Sequence, residues 1–348
     1  MKLLVTGMSG LIGSESVLQL YQQYDVVHGI DNNMRMNFFG EKGDTRPTLA
    51  NLKKSVPNLI HHNVDIRNRD YIMSLFQQEH FDTTIHCAAQ PSHDLAASRP
   101  FDDFEVNAMG TLNLLEAARN YAMDKPFIFM STNKVYGDGP NYVKLKELET
   151  RWEYDDPKYV DGINEEFSID HCKHSLFGAS KAAADLLVQE YGRYFGMPTV
   201  AYRGGCLTGG RHASVELHGF LSYLFKCIVE RKPYNIFGYK GKQVRDQIHS
   251  SDVVAAFRAF IQSPKSGVVY NLGGGRGNSA SILERIDLIE EITGEQLQYS
   301  YTEQNRIGDH ICYISNLTKI KNDFPEWDIQ VSLHQIVEEM LDNVKLKI

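Results

Sequence analysis

The sequence predicts an α/β protein: a doubly wound parallel sheet with a smaller C-terminal lobe. Three observations carry that reading. Strands and helices alternate through the first half of the chain, a glycine-spaced turn joins the first strand to the first helix, and the alternation breaks down after Arg203. KLLVT is a short apolar run of the kind that forms a buried strand, and the turn after it opens a helical pattern over Leu11–Gln23. DVVHGI, NLIHHNVDI and FDTTIHCAA read as the next strands, the last two each followed by a helix. Phe104–Tyr121 is a long helical pattern with Leu112, Leu115 and Ala118 on one side, and PFIFMST is the strand after it. Alternation at this spacing builds a parallel sheet with helices on both faces.

From Gly137 to Asp170 the periodicity dissolves into charged, aromatic, proline-containing sequence. This is too long for a plain connection and is expected to be an insertion near the site. Ser175–Phe195 is a helix ended by Gly196 and Pro198, TVAYR is a strand, and Gly267–Leu272 returns to the main sheet. The expected division puts residues 1–200 and 235–275 in the main domain, and 201–234 and 276–348 in the lobe.

Composition narrows the function classes. With 348 residues, 42% hydrophobic and 23% charged, the chain is long enough for a large α/β unit plus a lobe, and low-complexity disorder is excluded. A formal charge of −8 argues against general nucleic-acid binding, which wants a basic face. The five cysteines are odd in number and scattered, without CxxC spacing, so reduced thiols and no metal site are expected. KLLVTG is too short for the apolar region of a signal peptide, and no run approaches a membrane span. A soluble, cytoplasmic protein is the expectation.

TGMSGLIGS places glycines at 7, 10 and 13 between strand and helix. Gly7 suits a tight turn, Gly10 a close backbone approach to a pyrophosphate, and Gly13 tight helix–strand packing. The helix start at Leu11 and Ile12 offers N–H groups to phosphate. A ligand-free βα turn would also use some of these glycines. Asp31 shifts the balance, because it ends the second strand where a carboxylate takes the adenosine ribose hydroxyls and repels a 2′-phosphate. NAD is therefore favoured over NADP, with Asn32 beside the ribose and Asp65 and Ile66 flanking the adenine. Asp65 alone reads equally well as a helix cap.

The GxxGxxG spacing resembles the extended, sugar-nucleotide branch of the short-chain dehydrogenase superfamily, with a Rossmann-type fold, and the resemblance runs over almost the whole chain. It implies that HCAAQ lines the cofactor through Ala88 and Ala89 and reaches substrate at Gln90. VNAMGTLNLLEAAR carries Asn107 and, with Ser175–Phe195, implies a homodimer through paired helices. MSTNKVYGD matches the segment whose catalytic hydroxyl falls on Thr132, with Asn133 beside it. Arg203 and Cys206, in RGGCLTGG, fall near the expected sugar site. KGKQVRDQIHSSDV and NRIGDH imply that Arg245 and Arg306 hold the diphosphate of a nucleotide sugar. Within the branch, STNKVYGD, ETRW, GKQVRD and IDNNMR resemble the 2-epimerases of CDP-sugars. Such enzymes remove and return a hydride through a 2-keto intermediate while NAD stays bound.

One position departs from the pattern. The family's catalytic helix carries a tyrosine four residues before its lysine; here the lysine is Lys181 and the tyrosine's place is held by Phe177. Phenylalanine has no titratable group, and loss of a general base costs roughly 10²- to 10⁴-fold in rate. Lys181 is the leading replacement, and it also suits holding the nicotinamide ribose. His174, Cys206, Tyr136 and Thr132 are weaker candidates, and Glu216 and His218 in VELHGF are polar groups that could reach the sugar. The alternative readings are another NAD-dependent nucleotide-sugar dehydrogenase or 4-epimerase, or a non-catalytic binder of NAD or a nucleotide sugar.

Overall fold

The computed structural model describes residues 1–209, 220–305 and 309–345. The chain divides into two compact units: unit 1 comprises 1–135, 175–203 and 253–270, and unit 2 comprises 136–174, 204–252 and 271–348. No helix among the described residues is long and apolar enough to cross a membrane.

Unit 1 is built on a seven-stranded sheet. Its first five strands are β1 (Lys2–Thr6), β2 (Val26–Ile30), β3 (Leu59–His62), β4 (Thr83–His86) and β5 (Phe127–Thr132). The spatial order is Val268–Leu272, Thr199–Gly204, β5, β4, β1, β2, β3, and the pairs from β3 to β5 are parallel. The order reverses between β1 and β4, so the chain leaves these neighbouring strands in opposite directions and opens a crevice at their C-terminal ends. Every strand predicted in this half is present. The expected Phe104–Tyr121 helix is one continuous rod with a π-helical turn at Glu105–Met109, preceded by Pro100–Phe104 and continued by Gly110–Tyr121. The core on this face gathers Leu4, Ile72, Phe76, Phe81, Leu114, Leu115, Phe127 and Val188.

Unit 2 carries a four-stranded sheet in which Val244–His249 pairs with Ser279–Ser281, Cys312–Tyr313 and Cys206–Thr208. A second apolar core forms where Phe220–Val229, Ile282–Thr293 and Leu333–Lys345 bring Leu224, Ile228, Ile286, Ile289, Ile336 and Val337 together. The 136–174 segment contributes a short hairpin, Leu145–Glu147 with Trp152–Tyr154.

Candidate active site

The glycine turn is shaped by close approach. Gly7 has φ +67°, and a Cβ there would stand 2.7 Å from Ala88 N. A Cβ on Gly13 would stand 2.1 Å from Gly7 O, so both positions require glycine for backbone packing. Gly10 differs: its Cβ would meet only Gly7 O, at 3.3 Å, so its outer side is open. Ser14 N–H is the first to bond back along the helix Leu11–Leu20, reaching Gly10 O at 2.9 Å. The preceding N–H groups, of Leu11, Ile12 and Gly13, therefore lack helical acceptors and suit an anion. Ser9 Oγ is buried without a hydrogen-bond partner at the same turn. An open glycine, a bare helix start and an orphaned hydroxyl together fit a pyrophosphate.

Asp31 stands at the end of β2, where Ser9 N–H and Asn33 N–H each donate to its carboxylate at 2.9 Å. Those bonds aim the carboxylate and leave lone pairs for two ribose hydroxyls. Asn32 Nδ2 donates to Asp65 at 3.2 Å, linking the second and third strand ends. Burial alone would raise the Asp65 pKa, but the Arg67 hydrogen bonds, at 2.9 and 3.1 Å, and that from Asn32 leave it below the ordinary carboxylate value. Ile66 is a core residue packed over Gly110, where a Cβ would strike Ile66 Cδ1 at 2.5 Å. Ala88 and Ala89 are half-buried just beyond β4, with Ala88 N–H donating to Thr6 Oγ1 at 3.3 Å.

The helix Ser175–Phe195 packs against β5. Phe177, Lys181, Asp185 and Gln189 recur every four residues and are all buried along one face. Asp185 anchors the helix: it pairs with Arg203 at 2.9 Å and accepts Ser131 Oγ–H and Gln189 Nε2–H, each at 2.6 Å. Lys181 Nζ donates to Met130 O at 2.8 Å and lies 4.1 Å from the centroid of the Phe129 ring. Burial lowers its pKa to about 8, opposed by the negative charge of Asp185, Cys87 and Asp103. Thr132, at the end of β5, is half-buried and accepts Lys134 N–H at 3.2 Å.

A buried amide network ties that helix to the strand-four loop. Asn107 Nδ2 donates to Gln90 O, Asp103 Oδ1 and Ser180 Oγ at 3.0–3.1 Å, and Gln90 N–H returns a bond to Asn107 Oδ1 at 2.9 Å. Gln90 itself is 1% exposed and spends Nε2 on Asp103 and Ser92 O. Asn133, also buried, stands beside Thr132.

Sequence reasoning missed His93. Its ring meets Phe177 edge-on with centroids 4.9 Å apart, and its Nδ1 lies 3.0 Å from Ser175 Oγ. Nothing in QPSHD marks a histidine that a distant helix will receive. The weak signal was Ser92, whose Oγ accepts Leu95 N–H at 3.3 Å and starts the helix that carries His93.

The other candidates have other partners. His174 Nε2 lies 3.6 Å from the Cys172 thiol, and Tyr136, fully buried, donates to Asn271 Oδ1 at 2.8 Å. Arg203, expected near the sugar, is 4% exposed and committed to Asp185. In unit 2, Cys206 begins a half-buried strand, and the Arg245 guanidinium donates to Asp309, Val244 O and His310 O. Arg306, Glu216 and His218 lie outside the described residues.

A doubly wound domain with this glycine turn, bare helix start and acidic strand end defines a dinucleotide-binding protein of the α/β class. Residues 3–273 match the family model "NAD dependent epimerase/dehydratase family", and the chain belongs to that family. It is 34% identical to CDP-paratose 2-epimerase of Salmonella typhi, the match covering 98% of each chain. It is 29% identical to dTDP-glucose 4,6-dehydratase 1 of Escherichia coli K12, over 99% of this chain and 94% of that protein. Among solved structures, it superposes with a TM-score of 0.81 and 26% identity on a Tyr-to-Phe variant of UDP-glucuronic acid 4-epimerase from Bacillus cereus. That match covers the whole of both chains, and that structure holds UDP-4-deoxy-4-fluoro-glucuronic acid and NAD.

Proposed function

We propose that this protein is an NAD-dependent nucleotide-sugar epimerase that inverts C2 of a CDP-sugar through a 2-keto intermediate. The cofactor is NAD, held by Gly7, Gly10, Leu11, Ile12 and Gly13 at the pyrophosphate and by Asp31 at the adenosine ribose. The observation that carries the C2 and CDP assignment is the 34% identity, end to end, with CDP-paratose 2-epimerase. Thr132 is followed by Asn133 and Lys134, not by the acidic pair that protonates a leaving hydroxyl, which supports epimerisation over dehydration.

Bound NAD supplies the reversible hydride acceptor. Thr132 hydrogen-bonds the sugar hydroxyl, and Asn133 and Gln90 set the floor beneath it. Lys181 presents a positive charge that favours alkoxide character in the sugar oxygen. Arg245 and Arg306 hold the diphosphate while the keto sugar turns its other face. Arg245 must then exchange part of its bonding to Asp309 for phosphate oxygens, a trade a guanidinium can make without moving its charge. Exposed apolar side chains on the rod and on the catalytic helix, Phe101 at 82% and Tyr194 at 80%, support a homodimer through these helices. Light scattering of the purified protein tests it, and a monomer at micromolar concentration sinks it.

Incubation with a panel of CDP-, UDP- and GDP-sugars, with products read by NMR and bound NADH followed by absorbance, tests the function. A C2-inverted CDP-sugar is the expected product. No change in any sugar would leave a binder of NAD as the reading.

A further inference from the structure

We propose that His93, held by Ser175 against the Phe177 ring, is the general base that replaces the missing tyrosine. The proposal rests on the epimerase reading and deepens it. Phe177 occupies the place of the phenol, is 7% exposed, and has no group that can take a proton. The titratable ring in contact with it is His93, 4.9 Å away centroid to centroid, and His93 is more exposed than the phenylalanine it touches. The base has moved from the catalytic helix to the helix that packs on it.

Ser175 makes the imidazole suitable. Its Oγ accepts Gly178 N–H at 3.3 Å and lies 3.0 Å from His93 Nδ1. A hydroxyl oxygen has two lone pairs, so the same atom can accept Nδ1–H. That tautomer leaves the lone pair on Nε2, the form a base requires, as the partner of one ring nitrogen sets the role of the other. Ser175 reaches this position with φ +60°, a left-handed conformation that is unfavourable for a serine and persists where surrounding contacts enforce it.

Lys181 is placed for a different task. Its ammonium donates to Met130 O and faces the Phe129 ring, contacts that both favour the charged form. Engaged in this way, and with burial lowering its pKa only to about 8, Lys181 is still an ammonium at neutral pH and serves there as the electrostatic partner.

The step balances without a further reactant. The sugar C2–H bond breaks with its electron pair passing to NAD⁺. The hydroxyl O–H bond breaks with its proton passing to His93 Nε2, and the C=O bond forms between them. Return of hydride to the opposite face takes the same proton back and restores NAD⁺ and neutral His93. The charged groups on the helices packed against His93–Ser98 are Asp102, Asp103, Lys181, Asp185, Glu190 and Arg193, with Asp94 on its own turn. Among these described groups none is an imidazole; His174, one residue before Ser175, is the neighbouring one, so the acid limb is assigned to His93 by its loss in His93→Gln.

The test compares wild type, His93→Gln, and His93→Gln with Phe177→Tyr, using CDP-paratose and NAD. His93→Gln is expected to lower kcat by 10²- to 10⁴-fold, leave KM and bound NAD unchanged, and remove the acid limb of the pH profile. Adding Phe177→Tyr is expected to restore at least tenfold, because a phenol then stands one helical turn from Lys181. Turnover by His93→Gln within threefold of wild type, or an unchanged acid limb, overturns the proton assignment alone. A wild type inert toward every nucleotide sugar overturns the epimerase reading itself. Independently of turnover, ¹⁵N and ¹³C histidine NMR of the NAD-bound protein reads the His93 tautomer. Nδ1–H is expected, and Nε2–H overturns the proposal.

Discussion

Two regions of unit 1 follow different rules. At the glycine turn, backbone does the work: Gly7 and Gly13 are dictated by approaches of 2.7 and 2.1 Å, and Asp31 is aimed by two N–H groups from its own neighbourhood. Around the helix Ser175–Phe195, side chains from separate segments meet. His93 comes from the short helix after β4, Ser175 and Phe177 from the helix Ser175–Phe195, and the Met130 carbonyl that receives Lys181 from β5. A backbone-defined region tolerates little change in its residues. A side-chain-defined region can move a chemical role from one segment to another while the scaffold stays, which is how a phenylalanine can stand in the tyrosine position.

That contrast can be broken at several points. The largest expected effect is on the scaffold beneath the catalytic helix. Asp185→Ala removes the buried carboxylate that pairs with Arg203 and accepts Ser131 Oγ–H and Gln189 Nε2–H, and should cost about 3–5 kcal/mol in denaturant-measured stability. A loss under 1 kcal/mol would mean the helix is anchored elsewhere. Next, Asp31→Ser should weaken NAD binding by roughly 10- to 100-fold, the loss of charged hydrogen bonds worth about 1.5–3 kcal/mol, and raise relative affinity for NADP. Calorimetric titration of both cofactors checks it, and unchanged discrimination would remove Asp31 from the ribose. Gly13→Ala should cost about 1–3 kcal/mol through overpacking against Gly7 O and drop the NAD content of the purified protein.

The most gradual effect, small within any one pH unit, is a pH slope. Lys181 has its pKa lowered from 10.5 to about 8 by burial, so between those values the unfolded chain holds the proton that the folded chain has released. The unfolded state then binds more protons, and stability should rise with pH across this window, by at most ~1.4 kcal/mol per pH unit. Below about pH 8 both states hold the proton and the slope vanishes. Denaturation of wild type and Lys181→Met from pH 7 to 10.5 reads the difference. Equal slopes would show that Lys181 stays charged throughout.

Most of unit 1 was legible in the residues. KLLVT, DVVHGI and PFIFMST became strands because short apolar runs between turn signals have few other folded forms, and the glycine spacing marked the tight turn that joins the first strand to the first helix. Phe177 was recognised as a departure from the same spacing. The buried role of Arg203 was not visible, because TVAYR shows an arginine at a strand end without showing the Asp185 carboxylate beneath it. His93 was invisible for a related reason: 84 positions separate it from Phe177, and no local periodicity reports a contact of that span.

By itself, then, the sequence determined the sheet, the glycine turn, the acidic end of β2 and the i, i+4 face that carries Phe177 and Lys181. These depend on local backbone geometry and on burial periodicity, both written in neighbouring residues. Only the tertiary structure decided that Lys181 spends its ammonium on Met130 O, that Asp185 holds Arg203, and that a histidine from another segment stands against the silent ring. Such contacts are set by packing between elements far apart in the chain, and distance in sequence carries no record of them.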